Sequence, residues 1–459
     1  MVELTRRAIV VGAVGFIAAP SLAVEHPVFD VRDYGAKGDG QTLDTAAIQR
    51  AVDAAAAKRG RVLIGGGRVY VTGPLTLAGG IDFHVETGAT LRVSTDPGDY
   101  AGAPDGVLRG VGADGLTISG GGTIDGRSRD FMERYDAAGE WWIPKPFRPR
   151  LLVLENCADL TIRGIRLVDA PSWTIHLVGC RRALVDGIAI RNQKDVPNCD
   201  GIDPDHCQHV EIRNCHITCG DDAIVVKTTK GHERYGPSHH IHVSDCVLDT
   251  QDSGLKIGTE TGQDIHDVMF ERCRILGGAR GLCIQLRDAG TVSNIIFRRI
   301  SFTARYFSAP WWGRGEAISF TAIPRAPGGQ IGAIRNVLVE DVTGRAENSI
   351  RIEAEGGGTV DHVTLDRVDV TFARWTRYPG AVFDNRPTSA VTALEPHDTP
   401  GISIRNAADV TLRDCTVRWG PNVPDTFTSA IEAVNAPGLK IERFTGTAAQ
   451  PGRPARVIR

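Results

Sequence analysis

The stretch HVEIRNCHI, residues 209–217, alternates apolar and polar side chains in the two-residue period of a half-buried strand. The pattern recurs as LTIRGIRL (160–167), ALVDGIAI (183–190), HIHVSDCVL (240–248), DVMFERCRI (267–275) and NIIFRRISF (294–302). It returns as NVLVEDVTG (336–344), HVTLDRVDV (362–370) and DVTLRDCTV (409–417). With Ile162, Val185, Ile212, Val243, Phe270 and Phe297 taken as equivalent, the steps are 23, 27, 31, 27 and 27 residues. A strand-like repeat of this period, with no helix between strands, marks a parallel β-helix. One coil cannot bury its own apolar face, so coils stack around a shared interior. The expected fold is all-β: a single-stranded right-handed parallel β-helix with an N-terminal capping helix.

Cys215, Cys246, Cys273 and Cys415 fall at one repeat position, where other coils carry isoleucine or valine. They are read as small buried hydrophobes and not as disulfide or metal partners. Zinc-type CxxC spacing is absent, and no metal or cofactor is expected. TLDTAAIQRAVDAAAAKRG (42–60) reads as the capping helix, with Asp44 as N-cap, Ile48, Val52 and Ala55 on one face, and Gly60 as C′. Such a helix plugs the open end of the solenoid.

Residues 1–23, MVELTRRAIVVGAVGFIAAPSLA, have the layout of a cleavable export signal of twin-arginine type, with Arg6–Arg7 ahead of an apolar run. That run is too short to span a bilayer. The expected product is exported, periplasmic or extracellular, with residues 24–459 forming one catalytic β-helix domain. A net charge of −3 gives no reason to expect nucleic acid or a membrane surface as partner. Capped solenoid ends remove the need to associate, so a monomer is expected.

Against that small net charge, NCDGIDPDHCQHVEIRNCHITCGDD (198–222) concentrates Asp200, Asp203, Asp205, Asp221 and Asp222. Asp200 and Asp221 are 21 residues apart, near one coil, and stacked strands lie about 4.8 Å apart. The sequence therefore builds a carboxylate cluster on an outer face, unfavourable for stability and suited to acid–base chemistry or cation binding. Asp203 and Asp205 read as turn residues at a coil corner.

VRDYGAKGDGQTLDTAAIQRAVDAA (31–55), NCDGIDPDHC (198–207) and CGDDAIVVKT (219–228) together resemble the polygalacturonase-type glycosidases, glycoside hydrolase family 28. The resemblance covers nearly all of the chain after the export signal. It implies an inverting hydrolase of pectin-like polysaccharide or oligosaccharide, with Asp200, Asp221 and Asp222 as catalytic carboxylates. Asp221 would be the general acid, and Asp200 and Asp222 would orient and deprotonate water. One protonated carboxyl beside two carboxylates suits that chemistry.

Two family motifs are altered. DSGLKIGTE (252–260) carries Ser253 where the family has histidine, and RGLCIQLRD (280–288) carries Cys283 and Gln285 where it has arginine and lysine. Binding a uronate carboxylate calls for cations. Lys256 and Arg287 are candidates to replace them, and Glu260 and Asp288 would suit neutral-sugar hydroxyls. His232 reads as a surface-loop residue. Insertions near 129–150 and 304–325 hold Trp141, Trp142, Trp311 and Trp312, four of the seven tryptophans. Trp142, Trp311 and Trp312 are candidate sugar platforms, with Glu316 a further candidate contact. The two loops favour a closed pocket and exo-action. A calcium-dependent lyase and a non-catalytic carbohydrate-binding β-helix are the competing readings.

Overall fold

The computed structural model describes residues 27–101 and 106–459. The export segment at 1–23 lies outside the described residues. Two long parallel sheets, of 25 and 13 strands, form the walls of a right-handed β-helix. The equivalent positions read from the sequence pair in register: Ile162 with Val185, then Ile212, Val243, Phe270 and Phe297. This inward ladder extends back through Ile118, Phe83, Val62 and Phe29, and on through Val339, Leu365, Leu412 and Ile441. Each fully buried aliphatic or aromatic rung contributes about 1.5–3 kcal/mol. Phe270, Phe297 and Phe320 stack at centroid distances of 5.0 and 5.6 Å. All ten cysteines are buried and free, and Cys215, Cys246, Cys273 and Cys415 lie in the hydrophobic core, in keeping with their reading as core hydrophobes.

The capping helix α1 spans Thr45–Ala56 and buries Ile48, Val52 and Ala55. Two details differ from expectation. Asp44 stands at the N-cap, but its carboxylate accepts from Lys37 N (2.6 Å) and Gly38 N (2.9 Å), tying down the preceding loop. Gly60 is not the C′ residue, because the helix ends at Ala56 with Ala57 as C-cap, and the left-handed residue is Arg59 (φ 52°). Glycine at 60 answers a close approach, since a Cβ there would lie 2.5 Å from Pro27 O.

A second recurring feature is a left-handed bend at the start of the coils of the first sheet. Arg182, His209, His240, Asp267, Asn294, Asn336 and His362 all have φ between 53° and 58° there. Asn, Asp and His tolerate this region better than most residues, which explains their frequency at the bend.

The insertions are ordered. Met132–Asp136 and Trp141–Pro144 form an antiparallel hairpin. A third insertion, around 373–400, was not anticipated from the sequence. It holds the hairpin Val382–Asp384 and Leu394–Pro396. The three join one another: Ser308 Oγ donates to Gly139 O (2.7 Å), Trp141 meets Trp311 edge-on at 6.0 Å, and Tyr378 Oη donates to Glu140 (2.7 Å).

Candidate active site

The second sheet sets the site. Ile175, Ile202 and Ile224 stack inward on consecutive strands, which turns His176, Asp203 and Asp205 outward. Asp203 and Asp205 are thus residues of the strand Ile202–Asp205 and not turn residues. Pro204, which suggested a turn, sits instead in register with Leu177 of the neighbouring strand. The outward face carries polar groups that pack on one another, and Asp200, Asp203, Asp222, Lys227, Asp252 and Lys256 are all buried.

Asp200, Asp221 and Asp222 converge at the mouth of this buried layer, with carboxylate oxygens within 4.8 Å of one another. Asp221, half-buried, is the most open of the three. Its carboxylate accepts from Asn198 N (3.1 Å) and Asp222 N (2.9 Å). Burial, then Asp200 and Asp222, push the Asp221 carboxyl up to about 7. Asp222 accepts from Ser253 N (3.2 Å) and from Lys256 Nζ (2.6 Å). Asp200 has one oxygen 3.5 Å from Lys227 Nζ and the other without a hydrogen-bond partner. Burial first, then Asp203, raise its carboxyl well above the ordinary range.

Lys227 is the hub of a second tier. Its ammonium lies 3.2 Å from Asp203, 3.7 Å from Glu260 and 3.9 Å above the Trp173 ring. Burial pushes Asp203 up to about 7 and, with Asp222 next, pushes Asp252 up to about 8. Burial opposes ionisation of Glu260, yet Lys227, Lys256 and Arg325 together hold its carboxyl below the usual value. Trp173, Lys227, Asp252 and Arg280 were not anticipated from the sequence. Lys227 had a usable signal: it closes the run AIVVK at an outward-facing strand position, beside Asp205 of the previous coil.

The substrate-binding candidates divide. Lys256 is in the site, with its ammonium bound to Asp222. Glu260 sits at the rim between Lys227 and Arg325. Arg287 is buried, and its guanidinium donates to Leu286 O, Thr321 O, Thr321 Oγ1 and Asn385 O at 3.0–3.3 Å. It braces the third insertion. Trp142 is half-buried, with Arg129 stacked on it at 4.7 Å. Trp311 is buried against Ala279 and Phe307, while Trp312 is half-buried beside it. Glu316 is wholly buried and accepts from Arg314 N (2.6 Å) and Asp384 N (3.3 Å), so it holds the loops and not a ligand. Ser253 Oγ donates to Asp252 (2.9 Å), and Gln285 Nε2 donates to Arg386 O (3.2 Å). Asp288 pairs with Arg325 (2.7 Å), and His232 is half-buried near the His176 and Tyr235 rings.

Fold and site together define a β-helix with a carboxylate cluster on an outer wall, the architecture of pectin-active proteins. The chain belongs to the glycosyl hydrolases family 28, whose model matches residues 60–379. A second model, "Rhamnogalacturonase A/epimerase, pectate lyase-like", matches residues 28–90. A relative from Vitis vinifera named "Probable polygalacturonase" is 29% identical over 315 residues, covering 62% of each chain. The chain therefore spans under two thirds of that relative's length. Among solved structures, the family 28 exopolygalacturonase of Yersinia enterocolitica superposes with TM-score 0.68 at 17% identity, covering 92% of this chain and 78% of its own. The exopolygalacturonase of Thermotoga maritima superposes with TM-score 0.64 at 19% identity, covering 84% and 91%. Among the described residues, no helix is long and apolar enough to cross a membrane.

Proposed function

We propose that this chain is an exported glycoside hydrolase that cleaves an O-glycosidic bond in a pectin-like polysaccharide or oligosaccharide. The observation that carries the reading is a half-open carboxyl with its proton near neutrality, Asp221, set against two more buried carboxylates. Asp221 gives its proton to the leaving glycosidic oxygen as the bond to the anomeric carbon breaks. A water held between Asp200 and Asp222 attacks that carbon, and its proton passes to Asp222, the carboxylate paired with Lys256. No electrons change hands, and the products are two free sugar ends. Inversion is the outcome assigned here, although oxygens within 4.8 Å are closer than the roughly 6.5–9.5 Å usual for inverting pairs. The water must then enter from the side, and the anomer of fresh product, read by NMR, tests the assignment.

Three cations around the triad are already matched: Lys256 with Asp222 (2.6 Å), Arg280 with Asp252 (3.3 Å) and Arg325 with Asp288 (2.7 Å). Arg148, near enough to Asp221 and Asp200 to feel their charge, donates to the neutral oxygens of Pro171, Pro197 and Asn198, and it is the cation that would meet a uronate carboxylate. The joined insertions favour exo-action. Of the tryptophans singled out in the sequence, Trp142 and Trp312 are half-buried and remain candidate platforms, and Trp173, half-buried beside Lys227, joins them.

The test is reducing-end release across pectic domains and neutral-sugar polysaccharides, with wild type and Asp221→Asn, each with and without chelator. Release abolished by the substitution and spared by chelator supports the reading. No release from any substrate, with binding retained by both proteins, refutes it in favour of a non-catalytic binder. Chelator-sensitive release of an unsaturated product refutes it in favour of a lyase.

A further inference from the structure

Four of the thirteen histidines, His209, His239, His240 and His266, gather on the outside of the first sheet, on a different sheet from the carboxylate site. Successive strand residues ordinarily point to opposite faces. The left-handed bend breaks that rule at His209 (φ 58°) and His240 (φ 54°), so the adjacent His239 and His240 turn their rings towards each other. His209 reaches the same point from the preceding coil.

Ring nitrogens of His209, His239 and His240 lie within 4.8 Å of one another, and the Nδ1 atoms of His239 and His240 share a 2.7 Å hydrogen bond that a bound ion would replace by moving them about 0.6 Å apart. Their ring centroids are separated by 5.6, 4.7 and 4.9 Å. These spacings can be compared with a metal complex. An ion about 2.0–2.1 Å from a bonded nitrogen is about 3.2 Å from the ring centre, and at tetrahedral angles such rings lie about 5 Å apart. The observed separations bracket that value. We propose that His209, His239 and His240 form a three-imidazole site for a zinc-type transition ion on the outer wall of the β-helix, with solvent as fourth ligand.

The surroundings suit a cation. His266 stacks under His239 at 5.0 Å, and its Nδ1 is 2.7 Å from the Asp267 carboxylate. Arg182, on the coil before, is committed to Asp159 at 2.7 Å. Imidazole nitrogen is a ligand for zinc, copper and nickel and a poor one for calcium or magnesium, which fixes the ion class. The ion would clamp two consecutive coils, His209 on the strand Gln208–Arg213 and the other two on Ser238–Ser244. Its role is to brace the wall and not to act on substrate. Cysteine spacing gave no hint of it, because backbone bends, not a linear motif, bring the ligands together.

The test uses the full chain without a histidine tag, stripped with chelator and titrated with Zn²⁺ by calorimetry. Co²⁺ follows as a spectroscopic probe. One equivalent of Zn²⁺ should bind with a Kd on the order of 1 μM or tighter, and Co²⁺ should show the visible bands of a four-coordinate ion. His209→Ala and His240→Ala, both at exposed positions, should each weaken binding about 100-fold or more, while Asp221→Asn leaves it unchanged. Zn²⁺ should raise the Tm of wild type and not of the histidine variants. Absence of stoichiometric binding overturns the proposal. So does binding that survives both histidine variants but is lost in Asp221→Asn, which would place the ion on the carboxylates.

Discussion

Replacing Asp221 by asparagine should abolish turnover and, at alkaline pH, make the protein more stable. Burial and the neighbouring Asp200 and Asp222 raise this carboxyl from 3.8 to about 7. A displacement of that size corresponds to about 4 kcal/mol of disfavour for the ionised form in the folded chain. The sign follows from proton counts. Between about pH 4 and pH 7 the folded protein holds a proton that the unfolded chain has lost. Wild-type stability from this group is therefore complete below pH 4 and falls by about 1.4 kcal/mol per pH unit up to pH 7. Asparagine carries no charge and escapes the loss. It does forfeit one acceptor, because Asn198 N and Asp222 N each bond an Asp221 oxygen, at a cost of about 1 kcal/mol. The net expectation is a variant about 3 kcal/mol more stable than wild type at pH 8 and about 1 kcal/mol less stable at pH 4. Urea unfolding of both proteins at pH 4, 6 and 8 measures this directly. A wild type that stays more stable than Asp221→Asn at pH 8, or a difference independent of pH, would refute the electrostatic reading of the site.

Two further outcomes are expected. Lys256→Met leaves Asp222 buried without its 2.6 Å partner and should destabilise the fold by about 3–5 kcal/mol in urea melts at pH 7; a loss below about 1 kcal/mol would mean that the pair contributes little. Trp311→Ala removes the edge-on contact at 6.0 Å that joins the first two insertions. The insertion at 129–150 should then be cut faster by protease while the core melts at an unchanged temperature, and an unchanged digestion rate would show that the remaining contacts hold it alone.

The part of the architecture legible in sequence was the part fixed by local periodicity. Alternation and step length placed Ile162, Val185, Ile212, Val243, Phe270 and Phe297 in one register, because every coil must present an apolar residue to the same interior. The same spacing brought Asp200 close to Asp221 and Asp222. Other features depended on contacts distant in sequence. Gly60 looked like a helix stop, but it is small because the first described strand passes over it. Asp203 and Asp205 looked like a corner because of Pro204, but their neighbours on adjacent coils extend them as a strand. The insertion around 373–400 has no repeat to betray it, and its contacts with Gln285 and Arg287 turn apparent ligand positions into braces.

The β-helix also explains how so unfavourable a site is tolerated. The energy of stacking comes from inward ladders that run the length of the chain, while the site occupies outward positions of a few consecutive coils. Changing an outward residue does not alter the ladder beneath it. Ile257 pairs inward with Ile284 while the adjacent Lys256 and Cys283 pair on the outward side. Ser253, Cys283 and Gln285 can therefore stand where the family resemblance implies histidine, arginine and lysine without disturbing the fold. The same decoupling allows a run of histidines at the left-handed bend on the first sheet. Such a scaffold retains its fold while its chemistry drifts, so the altered motif positions bear on substrate choice and not on whether the chain folds.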